Sequence, residues 1–270
     1  MIFSFSHLTN LLKREPHINK NDCGHVLIIG SDYFLGGAVI MAAQAASRCG
    51  PGKITVITRK EHFSALLSRV PNVMTADLSM NDIFAAKDVI VIGPGLGKSE
   101  WAKDLLTKAL NSDLPKVIDA DALNLISEFE KNPNLENCII TPHAGEAARL
   151  LKSNSKKIDE DREESIKKLR KEFAATCVLK GSGSLILGKS GKIHQCQFGN
   201  SGMSSAGMGD VLSGVLGALL AQGLNLEDAA VLGVNLHSFA ADLVKENQGE
   251  IGMMATDLIK YFPLIINNKI

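Results

Sequence analysis

Gly199-Asn200-Ser201-Gly202-Met203-Ser204-Ser205-Ala206-Gly207-Met208-Gly209-Asp210 runs without a break into Val211-Leu212-Ser213-Gly214-Val215-Leu216-Gly217. Small residues let backbone amides approach an anion, and the helix that follows adds its unpaired N–H groups and the positive end of its dipole. The pattern predicts a phosphate held at the start of an apolar helix. Asp210 stands at that start. It either caps the helix, a common role for Asp, or lies beside a transferring phosphoryl group and takes a proton from a substrate hydroxyl. The length and smallness of the preceding loop favour the second reading.

Outward from this stretch, β-branched and apolar runs recur between helix-like segments: Val26–Ile29, Ile54–Thr58, Val89–Ile92, Val117–Asp119, Cys138–Thr141 and Val178–Lys180. Nearly continuous hydrophobicity fits strands covered on both faces, so the class is α/β with a mostly parallel sheet. Helical spacing marks Gly37–Cys49, Trp101–Leu110, Glu146–Leu151 and Ile166–Phe173, and Asp210–Gln222 with Leu226–Glu246 form a helical carboxy-terminal third. Ser184–Leu187 and Ile193–Cys196 read as a hairpin. Between Lys152 and Glu172, 14 of 21 residues are charged with both signs mixed, while Ile166, Leu169 and Phe173 keep a narrow apolar stripe. That is a solvated helix face.

Lys plus Arg and Asp plus Glu each total 29, so the chain of 270 residues has no net field to gather nucleic acid or anionic membrane. Phosphate binding must be local. Five cysteines are too far apart for a zinc or redox pair, and reduced, buried thiols are expected. No basic run precedes the short apolar stretch within Met1 to Glu15, and no segment is apolar for long enough to span a bilayer. The expectation is one domain over residues 1–270 in a cytoplasmic protein.

Other motifs sit where strands end. Gly30-Ser31-Asp32 lacks the Gly-x-Gly-x-x-Gly of a dinucleotide fingerprint. Gly93-Pro94-Gly95-Leu96-Gly97-Lys98-Ser99 encloses three residues between Gly93 and Gly97 where a P-loop needs four, leaving a glycine-rich bend at the carboxyl end of the sheet. Asp119 and Asp121 could hold Mg²⁺ through water or orient a hydroxyl, or one could cap the next helix. His143 follows Thr141-Pro142 and by itself reads as a buried, hydrogen-bonded histidine; Glu146 either caps or helps hold magnesium. Lys180-Gly181-Ser182-Gly183-Ser184 offers a cation and several amides to a nucleotide, or is a turn with a solvated Lys. His7, His17, His25, His62, His194 and His237 show no metal spacing and receive no role.

With Asp119-Ala120-Asp121-Ala122-Leu123-Asn124 and Thr141-Pro142-His143-Ala144-Gly145-Glu146, these blocks fall in the order of the ribokinase-like superfamily, and more narrowly the chain resembles the ADP-dependent NAD(P)H-hydrate dehydratases from about Lys20 to about Ile265. The resemblance implies a three-layer αβα sandwich around a central, mostly parallel sheet. It implies that Asp210 is the base, that Ala38, Gly97, His143 and Asp210 hold the hydrate, and that Lys180, Gly181, Ser182, Gly183, Ser184 and Gly209 contact the nucleotide. Asp119, Asp121, Asn124, Glu146 and Gly207 would support them. It further implies Mg²⁺, with ADP as phosphoryl donor, (S)-NADHX and (S)-NADPHX as substrates, and homo-oligomers such as a tetramer. Bifunctional members also carry an amino-terminal epimerase domain, for which no room is expected in this chain. The family's Gly-rich loop has a glycine and a threonine where Ala206 and Met208 stand. A kinase of a small hydroxylated heterocycle would use the same Asp210, and a module that binds ADP without turnover is the non-enzymatic alternative.

Overall fold

The computed structural model describes residue 5 and residues 9–12, 14–77 and 83–270, so part of the Met1–Glu15 stretch lies outside the described residues. Among the described residues, nine strands form one sheet in the order β3-β2-β1-β4-β5-β6-β7-β8-β9. They are β1 (His25–Ile29), β2 (Lys53–Ile57), β3 (Met74–Ala76), β4 (Val89–Ile92), β5 (Lys116–Ile118), β6 (Cys138–Ile140), β7 (Thr176–Leu179), β8 (Leu185–Leu187) and β9 (Ile193–Gln195). Pairing is parallel from β3 to β7 and antiparallel for β7–β8 and β8–β9, where the short connections return the chain directly.

Alternation along each strand divides the core in two. Val26 and Ile28 of β1, Val89 and Val91 of β4 and Val178 of β7 face the helices Gly37–Cys49, Met208–Ala221 and Leu226–Gln248. Leu27, Ile29, Ile90, Ile92 and Leu179 face the helices Glu100–Leu110, Ala120–Ile126, Ala144–Leu150 and Arg162–Phe173. Both faces are covered, which explains why the central strands are nearly continuously apolar, with buried polar residues such as Thr55, Lys116 and Thr176 as exceptions, and gives the three-layer αβα sandwich. The helix Met208–Ala221 lies between the sheet and its neighbours and is buried nearly all round. Gly214 lets it touch the helix Gly37–Cys49 backbone to backbone, since a Cβ there would lie 2.1 Å from the Ala42 carbonyl oxygen. In the mixed-charge segment, helices Ser155–Glu160 and Arg162–Phe173 form, and Ile166, Leu169 and Phe173 are buried as their spacing predicts. All five cysteines are buried free thiols.

Candidate active site

Strand order reverses beside β1: the chain builds outward through β2 and β3, then crosses back to place β4 on the other side of β1. Open α/β sheets leave a crevice at such a point, at the carboxyl ends of the strands. The loops after β1 and β4 are stitched together there, with Ser31 N–H donating to the Pro94 carbonyl (2.9 Å) and Asp32 N–H to that of Gly95 (2.8 Å). A Cβ added at Gly95 would lie 3.0 Å from that of Ala38, while Gly97 sits over Asp32. Ala38 and Gly97 therefore occupy two walls of the same loop cluster.

Next along the sheet, Asp119 and Asp121 follow β5. Ala120 between them has φ 49°, a left-handed conformation unusual outside glycine, and the two carboxylates serve different partners. Asp121 accepts from Gly97 N–H at 2.9 Å and from Asn124 at 3.4 Å, and Asn124 in turn accepts from Arg149 at 2.8 Å. Asp119, 1% exposed, accepts from Lys180 Nζ at 2.6 Å and from the Ser213 hydroxyl at 2.8 Å. Asp119 occupies the N-cap position of the helix Ala120–Ile126 but makes no side-chain cap bond, so the capping alternative for it does not hold. Lys180 also lies 3.7 Å from Glu146. Burial alone would lower the Lys180 pKa, but Asp119 and Glu146 hold it above its ordinary value. It is not the solvated lysine of a simple turn.

Asp210 is the third residue of the helix Met208–Ala221, whose N-cap is Gly207 at φ 92°, with no side-chain cap bond. It does not cap that helix, because the left-handed turn at Gly207 starts the helix before Asp210 is reached. Burial, with Asp119 and then Asp121 nearby, pushes the Asp210 carboxyl up to about 7 against the opposing pull of Lys180. A carboxyl tuned near neutrality, in the first turn of a helix whose free N–H groups favour an anion, can exchange a proton with a hydroxyl while a phosphoryl group is held alongside. At Gly209 a Cβ would lie 3.3 Å from Asp119 and 3.4 Å from Lys180, so the helix start rests directly on that pair.

His143 differs from both a buried histidine and a free one. Its side chain is half-exposed and it is the N-cap of the helix Ala144–Leu150, with Nδ1 accepting from Gly145 N–H at 3.0 Å. Glu146 completes the capping box by accepting from His143 N–H at 2.8 Å. The capping reading of Glu146 thus holds, and the same carboxylate reaches Lys180.

Lys180, Gly181, Ser182, Gly183, Ser184 and Gly209 line one cavity of about 490 Å³, within the range of small-molecule sites. Its remaining wall comes from Asn200, Met203 and Leu212 of the glycine-rich stretch and its helix, and from Phe198, Val234 and His237, which no motif singled out. Asp32 and Ser213 are likewise additions. Asp32 accepts from Arg59 Nε at 2.7 Å and from the Ser99 hydroxyl; burial raises its pKa, yet these bonds hold it below the ordinary value. The position of Asp32 after a strand was the available signal, while Ser213 and His237, lying within long helices, offered none.

Among the described residues no group of three or more His, Cys, Asp or Glu is assembled to hold a metal ion. Asp119 is committed to Lys180 and Ser213. The donor set fits Mg²⁺ arriving with a nucleotide's phosphates, since that ion is held through one or two carboxylates and substrate oxygens rather than a protein cage. Asp121, whose partners are Gly97 N–H and Asn124 and not a cation, is the carboxylate that would hold it.

The profile of the NAD(P)H-hydrate dehydratase family matches residues 26–264. A bifunctional NAD(P)H-hydrate repair enzyme of Coxiella burnetii is 47% identical over 95% of this chain, which spans about half of that relative, 53%. An ADP-dependent (S)-NAD(P)H-hydrate dehydratase of Neisseria meningitidis is 36% identical, covering 94% of this chain and 88% of its own. The ADP/ATP-dependent NAD(P)H-hydrate dehydratase of Bacillus subtilis, co-crystallised with ATP and Mg²⁺, has the same fold at TM-score 0.87 and 23% identity, over 98% of this chain and 97% of that one. Since the profile match runs from β1 through every later strand to the helix Phe262–Ile266, the chain belongs to the NAD(P)H-hydrate dehydratase family.

Proposed function

We propose that this protein catalyses the ADP-dependent dehydration of (S)-NADHX and (S)-NADPHX to NADH and NADPH, releasing AMP and phosphate. The observation that carries the reading is Asp210: a carboxyl near neutrality at the start of a helix seated on the Asp119–Lys180 pair. The hydrate carries a hydroxyl on its reduced nicotinamide ring, and hydroxide is a poor leaving group. Asp210 takes the hydroxyl proton, the oxygen attacks the β-phosphorus of ADP, and the bond to the bridging oxygen breaks to give AMP. The ring nitrogen's lone pair then expels phosphate, and loss of a proton from the neighbouring ring carbon restores the double bond.

In this reading the amides around Gly207 to Gly209 stabilise the charge on the transferring group, and Lys180 to Ser184 hold the nucleotide. Ala38, Gly97 and His143 position the hydrate, with Asn124 fixing Asp121 beneath Gly97. Mg²⁺ held by Asp121 and the phosphates would neutralise charge during transfer. The reading includes action in the cytoplasm and assembly of several copies, for which the exposed Tyr33, Phe34 and Leu35 offer apolar surface. Phosphorus NMR of a reaction with ADP and hydrated NADH tests the chemistry. The proposal expects AMP and inorganic phosphate in equal amounts. A stable phosphate ester formed from a thiazole or pyrimidine alcohol, with no action on the hydrate, would instead establish a kinase.

A further inference from the structure

His237 lies within the helix Leu226–Gln248 and is 4% exposed, yet it lines the cavity formed by Lys180 to Ser184 and Gly209. Its Nε2 is buried without a hydrogen-bond partner. A buried nitrogen left unpaired bears its full desolvation cost, and such groups mark places where a ligand or water completes the bonding. Among the described residues two other buried polar atoms are unpaired, Ser205 Oγ and Asn235 Oδ1, but neither residue lines the cavity.

The ring's charge state narrows what can complete it. Burial, reinforced by the Lys180 charge, pushes the His237 pKa down to about 4, against a smaller opposing effect of the Met208 backbone. A neutral imidazole is no anchor for phosphate, and that task falls to Lys180 and the helix start. The bond to the Met208 backbone raises the pKa and is therefore donated by a ring N–H to a carbonyl; with Nε2 unpaired it belongs to Nδ1, so Nε2 of the neutral ring is an acceptor. A ribose hydroxyl and an exocyclic amino group can each donate to it, so position decides between them. His237 also packs by the Met208 backbone, at the first turn that holds the phosphates, so the part of a nucleotide nearest to it is the sugar.

We propose that His237 is a specificity-determining residue whose Nε2 hydrogen-bonds a ribose hydroxyl of the bound nucleotide. This rests on the nucleotide reading of the cavity given above and adds a named contact to it. Calorimetric titration of the purified protein with ADP, 2′-deoxy-ADP, 3′-deoxy-ADP and inosine diphosphate tests it with no need for turnover. The unaltered protein should bind one of the deoxy analogues about five- to tenfold more weakly than ADP, the worth of one net hydrogen bond. In His237→Leu, ADP should fall to that level and the preference for the hydroxyl should disappear, as a double-mutant cycle requires. His237→Gln, which can still donate and accept, should restore part of it.

A merely structural His237 would lower the unfolding midpoint and leave the ratio between ADP and deoxy-ADP unchanged, and that result overturns the proposal. Equal binding of ADP and both deoxy analogues by the unaltered protein overturns it without recourse to any variant. If the discrimination lost in His237→Leu is that against inosine diphosphate, the ring reads the base amino group and the ribose assignment is wrong. Failure of the unaltered protein to bind ADP at all would remove the nucleotide reading itself, and this inference with it.

Discussion

At the residue scale, activity and stability both turn on the proton of Asp210. Its carboxyl ionises near 3.8 in an unfolded chain and near 7 in place, so the folded state retains a proton across that window. The sign follows: stability is full below the lower value, falls as pH rises towards the upper one, and stays reduced beyond it. Asp210→Asn removes the buried charge, so its melting midpoint should exceed that of the unaltered protein at about pH 8 and match it at about pH 4. The same change should cut turnover by about 10²–10⁴-fold while ADP still binds, because the amide cannot take the proton. A variant both fully active and unchanged in pH-dependent stability would remove Asp210 from the chemistry. Lys180→Met makes a complementary prediction. The Lys180 charge lowers the Asp210 pKa. Without it, the rising limb of kcat/KM should move to higher pH and ADP should bind more weakly; a limb that stays near its original pH would separate the two groups. Asp210 and Lys180 were legible in the sequence because small residues surround them. Ser213 was not, because a serine among Val, Leu and Gly reads as one more helix position until the fold brings Asp119 to its hydroxyl.

At the scale of elements, the start of the helix Met208–Ala221 is the device on which the site depends. Gly207 has φ 92°, and a Cβ there would meet Met41 Sδ at 2.4 Å. Gly207→Ala should therefore cost about 1–3 kcal/mol in stability through backbone strain alone. It should also weaken ADP binding by shifting the amides of the first turn; denaturant unfolding and calorimetry measure the two effects separately. A Gly207→Ala protein with unaltered midpoint and affinity would show that the turn does not need this geometry. The strands of the sheet centre are readable because burial on both faces leaves them continuously apolar. β3, Met74–Ala76, gives no such signal, being three residues at the sheet edge with Met74 exposed and no sustained pattern. Helix starts lie a few residues ahead of the apolar spacing, as at Arg162 and Met208, where polar or glycine-rich first turns hide the period.

At the scale of the whole molecule, topology performs what no local motif could announce. Residues far apart in sequence, such as Asp119 and Ser213, 94 positions apart, meet because successive strands deliver their carboxyl ends to one edge, under a single buried helix. The order of the sequence blocks was enough to expect this architecture, but which side chains would touch depended on the register of β5, β6 and β7 and on the depth of that helix. The central claim is that a phosphoryl transfer drives a dehydration at this edge. Hydrated NADH mixed with the protein, Mg²⁺ and ADP should regain the near-ultraviolet absorbance of the reduced nicotinamide, with one AMP and one phosphate released for each NADH formed, and a non-hydrolysable ADP analogue should stop the recovery. Absorbance regained without consumption of nucleotide, or nucleotide consumed with no NADH regained, would contradict the account.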